Sequence, residues 1–193
     1  MTTANKITIG RIVAIPFFVA QLLYYADTGR ELYRWLALAS FALTAAFDAV
    51  DGYVARRFNQ RSELGALLDP LADKLLLVAG LVLLTAARLK LDRIPLWLTI
   101  LILGRDVILS AGAVIVHHVC GKVRIRPNWM GKCATVFQMA LIVWVLCRWP
   151  SEWLDYLVWG TAICTGVSGA VYLKDGIQQL GASPRSLPTP NQE

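Results

Sequence analysis

Four carboxylates stand between long apolar runs in this chain, and that placement limits what it can fold into. Asp48 and Asp51 occur in the run Asp48-Ala49-Val50-Asp51-Gly52-Tyr53-Val54-Ala55-Arg56, and Asp69 and Asp73 follow after Gly65. A charged side chain at the centre of a bilayer costs about 2.5–3.5 kcal/mol, so such a cluster normally has a partner or a ligand. The spacing narrows the choice. Asp48 and Asp51 are three apart and Asp69 and Asp73 four apart, so on helices each pair shares a face. Two facing pairs would make an oxygen-rich cage suited to hard divalent cations such as Mg²⁺ or Mn²⁺.

The rest of the chain is built for a membrane. Of its 193 residues 56% are hydrophobic and only 17% charged, with a mean hydropathy of +0.53, above the soluble average. A span needs about 20 mostly apolar residues. Six runs qualify: Ile9–Ala26, Leu32–Phe47, Asp69–Ala87, Pro95–His117, Met130–Arg148 and Trp153–Leu173. The expectation is an all-α, polytopic bundle of six transmembrane helices over residues 1–180, followed by a disordered, proline-interrupted tail over 181–193. The second run is short, so its helix should continue through Asp51 and Arg56 and carry the first aspartate pair to the interface. The opening run has no small-residue cleavage site after it and reads as a retained span.

Charge sets the orientation. An amino terminus in the cytoplasm puts twelve Lys and Arg residues on or near that side, among them Lys6, Arg11, Arg56, Arg57, Arg61, Lys122, Arg124, Arg126 and Lys132. Six fall on the other side: Arg30, Arg34, Arg88, Lys90, Arg93 and Arg148. This bias puts both termini and the aspartates at the cytoplasmic face. The net charge of +6 forms no continuous basic stripe, which argues for lipid headgroups and phosphorylated substrates and against nucleic acid. Trp35, Trp97, Trp129, Trp149 and Trp153 fall near span ends, as interfacial residues do. Cys120, Cys133, Cys147 and Cys164 lack the spacing of a zinc site or a disulfide framework and read as small packed residues.

Written out, the acidic segment is Asp-x2-Asp-Gly-x2-Ala-Arg-x8-Gly-x3-Asp-x3-Asp. It resembles the signature of the CDP-alcohol phosphatidyltransferase family at every fixed position. The resemblance implies an enzyme of phospholipid synthesis in the bacterial inner membrane, active at the cytoplasmic face and homodimeric, that displaces CMP from CDP-diacylglycerol with an alcohol. It makes Asp48, Asp51 and Asp69 ligands of two divalent ions. Asp73 lies near the same ions and serves as the general base on the acceptor hydroxyl. Asp51, Gly52, Ala55 and Arg56 cradle the cytidine nucleotide, and Gly65 allows close approach. Arg56 suits phosphate oxygens because its donors form a fixed fork. The plainer alternative makes Asp48 or Asp69 a helix cap, with Asp69-Pro70 opening a helix.

A second cluster, Arg105 with Lys122, Arg124, Arg126 and Lys132, could hold an anionic acceptor. An arginine inside an apolar run should face protein rather than lipid, and an internal Arg105–Asp106 pair is the structural alternative. From Asn5 to about Gln138 the chain is similar to two groups of the family, phosphatidylglycerophosphate synthases and eukaryotic-type cardiolipin synthases. Both share segments like Asn59-Gln60-Arg61-Ser62 and Gly131-Lys132-x2-Thr135-x2-Gln138. Transfer to sn-glycerol 3-phosphate is the leading expectation, since the basic set suits a phosphomonoester. Phosphatidylglycerol as acceptor is the alternative, favoured by Arg105-Asp106 where glycerophosphate enzymes carry Arg-Glu. A divalent-cation carrier is the alternative from another class, but acids gathered at one face beside Arg56 do not line a pore.

Overall fold

The apolar runs take up helices. The computed structural model describes residues 3–58, 63–86, 89, 91–120 and 129–181, with side chains described over 13–47, 72–86, 89, 91–112, 114, 118 and 129–178. Among the described residues six helices follow one another: α1 (Thr3–Thr28), α2 (Glu31–Phe58), α3 (Glu63–Ala86), α4 (Leu96–Cys120), α5 (Trp129–Cys147) and α6 (Ser151–Gly181). Among the described residues there is no strand. Two helical stretches, Trp129–Cys147 and Ser151–Gln178, are long and apolar enough to cross a membrane, and only 33% of the first window and 22% of the second is buried.

The helices outrun the apolar segments. Helix α2 continues past Phe47 to Phe58, so it carries Asp48, Asp51 and Arg56 as expected. Helix α3 begins at Glu63, before the Asp69 expected to open this span, so the helix runs through Asp69-Pro70 instead of starting there. Helix α6 runs on to Gly181, past Lys174 and Asp175. Residues 182–193, nearly all of the expected tail, lie outside the described residues.

The helices gather into two compact units: Met1–Leu96 with Met139–Leu154, and Trp97–Gln138 with Asp155–Glu193. In the first, α1 packs on α2 and α3. Its core consists of stripes at helical spacing: Phe18, Leu22 and Tyr25 on α1, Ala37 and Phe41 on α2, Leu77, Leu81 and Leu84 on α3, and Leu141, Ile142 and Val145 on α5. The rings of Phe18 and Phe41 meet at 5.6 Å, a contact worth about 0.5–1.5 kcal/mol. At Gly80 the packing is tight, since a Cβ there would lie 3.0 Å from Ile142 Cδ1.

One end of this unit is held by a polar clasp. Gly29, at φ 65°, ends α1 with its N–H on the Tyr25 carbonyl at 2.9 Å, the left-handed stop that glycine takes most easily. Glu31, two residues on, receives Arg34 Nε at 2.6 Å and Arg148 Nη1 at 2.9 Å. Arg34 Nη1 also donates to the Leu146 carbonyl, one of the acceptors that the last turn of a helix leaves without an intrahelical donor. Arg148 Nη2 donates to Tyr25 Oη at 2.7 Å. Arg148 itself sits at φ 54°, a left-handed conformation costing a non-glycine residue about 1–2 kcal/mol, and its two side-chain links hold it there. The Arg34 hydrogen bond first, and the Arg148 charge after it, keep the Glu31 carboxyl below the usual carboxylate range.

The second unit has a more polar core. Leu98, Ile102 and Val158 are joined inside by Thr99, Gln138, Thr161, Thr165 and Ser168. Thr161 Oγ1 bonds the Leu157 carbonyl of the preceding turn at 2.7 Å, whereas Thr165 Oγ1 is buried with no partner among the described residues. Gly160 admits the edge of Phe137, with a Cβ position 3.1 Å from its Cε1. Of the cysteines expected to pack, Cys147 and Cys164 are half-buried but Cys133 is exposed. Its place on α5 turns outward because Ala134, its neighbour, takes the buried position.

Candidate active site

The acidic motif lies wholly on two helices of the first unit. On α2, Asp48, Asp51, Gly52 and Ala55 occupy positions that recur at intervals of three, four and seven residues, which is one stripe of a helix. Arg56 stands one residue beyond Ala55 at its margin. On α3, Gly65, Asp69 and Asp73 succeed each other every fourth residue and make a second stripe. The two helices are in contact within the unit. The side chains of Asp48, Asp51, Ala55, Arg56 and Asp69 lie outside the described residues. Asp73 is described and half-buried, beside the buried Ala72 and Leu76. Among the described residues no three His, Cys, Asp or Glu side chains are grouped as metal ligands.

Backbone position alone removes the plainer alternative. Asp48 lies deep inside α2 and Asp69 inside α3, so neither occupies the N-cap position. Pro70 likewise stands in the body of α3 and not in its first turn. Carboxylates in helix interiors have no backbone N–H groups to satisfy, since those already bond within the helix. The motif thus sets four carboxylate residues on two neighbouring helices, two on α2 and two on α3.

The basic set belongs to the second unit. Lys122, Arg124 and Arg126 lie outside the described residues. Lys132 is exposed on α5, its Nζ 5.4 Å from the Trp129 ring centroid. Arg105 is on α4 with 12% of its side chain accessible, in agreement with the expectation that it turns to protein. Its Nη1 donates to Asp106 Oδ1 at 2.9 Å, so the internal pair considered as an alternative is present. Its Nη2 donates to Ser168 Oγ on α6 at 2.7 Å, while its Nε is buried with no partner among the described residues. Two of the five N–H groups of the guanidinium are thereby engaged.

Ser168 and Tyr172, which sequence reading passed over, are part of this arrangement. Their signal was available: Thr161, Thr165, Ser168 and Tyr172 form a polar stripe at helical spacing within the apolar sequence of α6. A polar stripe on an otherwise apolar helix marks the side that meets other helices.

Comparison with known proteins adds to this geometry. The CDP-alcohol phosphatidyltransferase family matches over residues 1–167. The CDP-diacylglycerol–glycerol-3-phosphate 3-phosphatidyltransferase of Escherichia coli (strain K12) is 33% identical over 187 residues, covering 94% of each chain. The protein of the same name from Shigella flexneri serotype 5b (strain 8401) is 32% identical over 187 residues, again 94% of each. The family is the one that the aspartate pattern resembles, and both relatives carry the glycerol-3-phosphate name.

Proposed function

The chain belongs to the CDP-alcohol phosphatidyltransferase family, and from that premise we propose that it transfers the phosphatidyl group of CDP-diacylglycerol to sn-glycerol 3-phosphate. It is an enzyme of that class, which leaves the carrier reading without support. In the reaction the acceptor hydroxyl oxygen forms a bond to the phosphatidyl phosphorus, and the bond from that phosphorus to the oxygen of CMP breaks. The products are phosphatidylglycerophosphate and CMP.

Within this reading each residue of the motif has work to do. Arg56 donates to phosphate oxygens of the nucleotide. Gly52, Ala55 and Gly65 keep the helix surfaces low enough for the nucleotide to approach the backbone. Asp73 takes the proton of the acceptor hydroxyl, and Asp48, Asp51 and Asp69, with Asp73, hold the divalent cations on which this family depends. Two such ions, when bound, supply charge neutralisation of the diphosphate and of the departing CMP. Arg105 and Lys132, with Lys122, Arg124 and Arg126, bind the phosphate of the acceptor. The observation that supports the scheme most directly is the placing of Asp48 and Asp69 in helix interiors, where no cap explains them.

The proposal includes the setting. We assign the chain six crossings of the bacterial inner membrane, with both termini and the aspartate motif toward the cytoplasm. In support, large apolar side chains stand exposed along the helices, among them Phe17, Leu43, Ile100, Val136 and Ile163, an arrangement suited to lipid. We further propose a homodimer. Gly104 and Gly112 on α4 have nothing within 4 Å of a Cβ position, room that a helix of a second subunit could use.

The deciding experiment supplies purified protein in detergent with CDP-diacylglycerol and one acceptor at a time, and follows CMP. Release with sn-glycerol 3-phosphate is the expected result. Release with phosphatidylglycerol alone would overturn the choice of acceptor and favour the cardiolipin reaction, the reading to which Arg105-Asp106 lends support.

A further inference from the structure

We infer that the polar core of the second unit binds a buried water between α5 and α6, where it bridges Gln138 Nε2 and Thr165 Oγ1. Both atoms are buried with no hydrogen-bond partner among the described residues, on side chains 3% and 0% exposed. An amide or hydroxyl shut away from solvent is costly unless it is bonded, and buried polar groups in folded proteins are almost always paired with protein or ordered water. Two neighbouring hydroxyls of the same core have partners. Thr161 Oγ1 donates to the Leu157 carbonyl, and Ser168 Oγ accepts from Arg105 Nη2. Gln138 and Thr165 differ from them in needing a partner from outside the chain.

Helix register brings the two groups together. A Cβ on Gly160 of α6 would lie 3.1 Å from Phe137 Cε1 on α5, and a Cβ on Gly131 of α5 would lie 3.4 Å from Ser168 Oγ on α6. These packing contacts advance in opposite directions along the two helices, which are therefore antiparallel, with Thr161 near the level of Gln138. Thr165 stands about one turn further along α6, on the stripe that holds Thr161 and Ser168. Side chains on a helix lean toward its N-terminus. In this antiparallel register Gln138 leans toward the level of Thr165, and Thr165 leans toward that of Gln138. Neither bonds the other, and one water joins them through two hydrogen bonds of about 2.7–3.2 Å.

Charge selects water over an ion. The Arg105 guanidinium is balanced by Asp106 at 2.9 Å, so an anion finds no spare positive charge. A metal cation is disfavoured by the amide hydrogens of Gln138, which donate and cannot ligate. Water accepts from Gln138 Nε2 and either donates to Thr165 Oγ1 or accepts from it. Buried waters make about three hydrogen bonds. Arg105 Nε, buried with no partner among the described residues and on the guanidinium that bonds Ser168 one turn from Thr165, offers the third.

This site does not depend on which acceptor the enzyme uses, and its test reads structure and stability. The full chain in detergent, solved at a resolution that shows ordered solvent, should carry a water peak about 2.7–3.2 Å from both Gln138 Nε2 and Thr165 Oγ1. Direct bonding of the two side chains to each other or to other protein groups, with no peak between them, would overturn the site. So would anomalous scattering from bromide at that point after chloride is exchanged for bromide, since a halide would then be the ligand. Two variants give an independent sign. Thr165→Val and Gln138→Met keep most of the volume and each removes one group that bonds the water. Each should lower the melting temperature by about 2–6 °C, and the double variant should lose less than the sum. An unchanged or raised melting temperature in both single variants would overturn the site, because apolar groups would then have replaced polar groups that were unpaired from the start. The solvent peak keeps the test open if a variant folds poorly.

Discussion

Replacing Arg34 with methionine tests whether the clasp at the end of the first unit contributes stability apart from chemistry. Arg34 is 6% exposed and donates to the Leu146 carbonyl and to Glu31. Methionine keeps most of the apolar stem but leaves the Leu146 carbonyl without its donor, at a cost of about 1–3 kcal/mol. Taking the middle of that range, and about 2–4 °C per kcal/mol for a chain of this size, the melting temperature should fall by about 4–8 °C. Fractional monodispersity after stepwise heating in detergent is a suitable assay. Because Arg148 shares the Glu31 carboxylate, the double variant with Arg148→Met should lose less than the sum of the singles. Turnover well below the melting temperature should be unchanged, since Arg34 lies fourteen residues before Asp48 on α2, about 21 Å along the axis. An unshifted melting temperature would show that the Leu146 bond contributes nothing. A fall in kcat with stability intact would tie the clasp to catalysis.

Other consequences are as direct. Glu31 is held below its ordinary range in the folded chain, so its contribution is present above the unfolded carboxylate value of about 4.3 and is lost as pH falls through the lower folded value. Melting temperatures taken from pH 7 downward should therefore decline on the acid side, and decline less steeply in Glu31→Gln. Asp73→Asn should lower turnover about 100-fold or more while nucleotide binding, followed by CDP titration, is largely kept; near-normal turnover would refute its role as base. Treatment with EDTA should silence CMP release and Mg²⁺ or Mn²⁺ should restore it, whereas activity indifferent to chelation would remove the two-ion scheme. Gly80→Val should cost about 1–3 kcal/mol by crowding Ile142 and Phe18, read as a lower melting temperature with the KM values unchanged.

Much of the fold was written locally. The apolar runs, the continuation of α2 beyond Phe47 and the two acidic stripes follow from hydropathy and from spacings of three and four residues. These are properties of a single helix, and a reader of the chain can count them. The family could be identified on the same basis, because its motif is contiguous and its geometry is helical register. The early start of α3 was hidden, since Asp69-Pro70 imitates a helix opening.

What only packing decided are the contacts between distant segments. Nothing near Tyr25 in the sequence announces Arg148, 123 residues away, nor does Arg105 announce Ser168, 63 residues on. The pair Arg34 and Glu31 is legible as a neighbouring salt bridge, but its attachment to the end of α5 is not. Periodicity reveals that a residue faces inward and leaves open which helix it meets. That choice is made by the fit of whole surfaces, where glycines such as Gly80 and Gly131 set the distance of approach and buried polar groups must find partners.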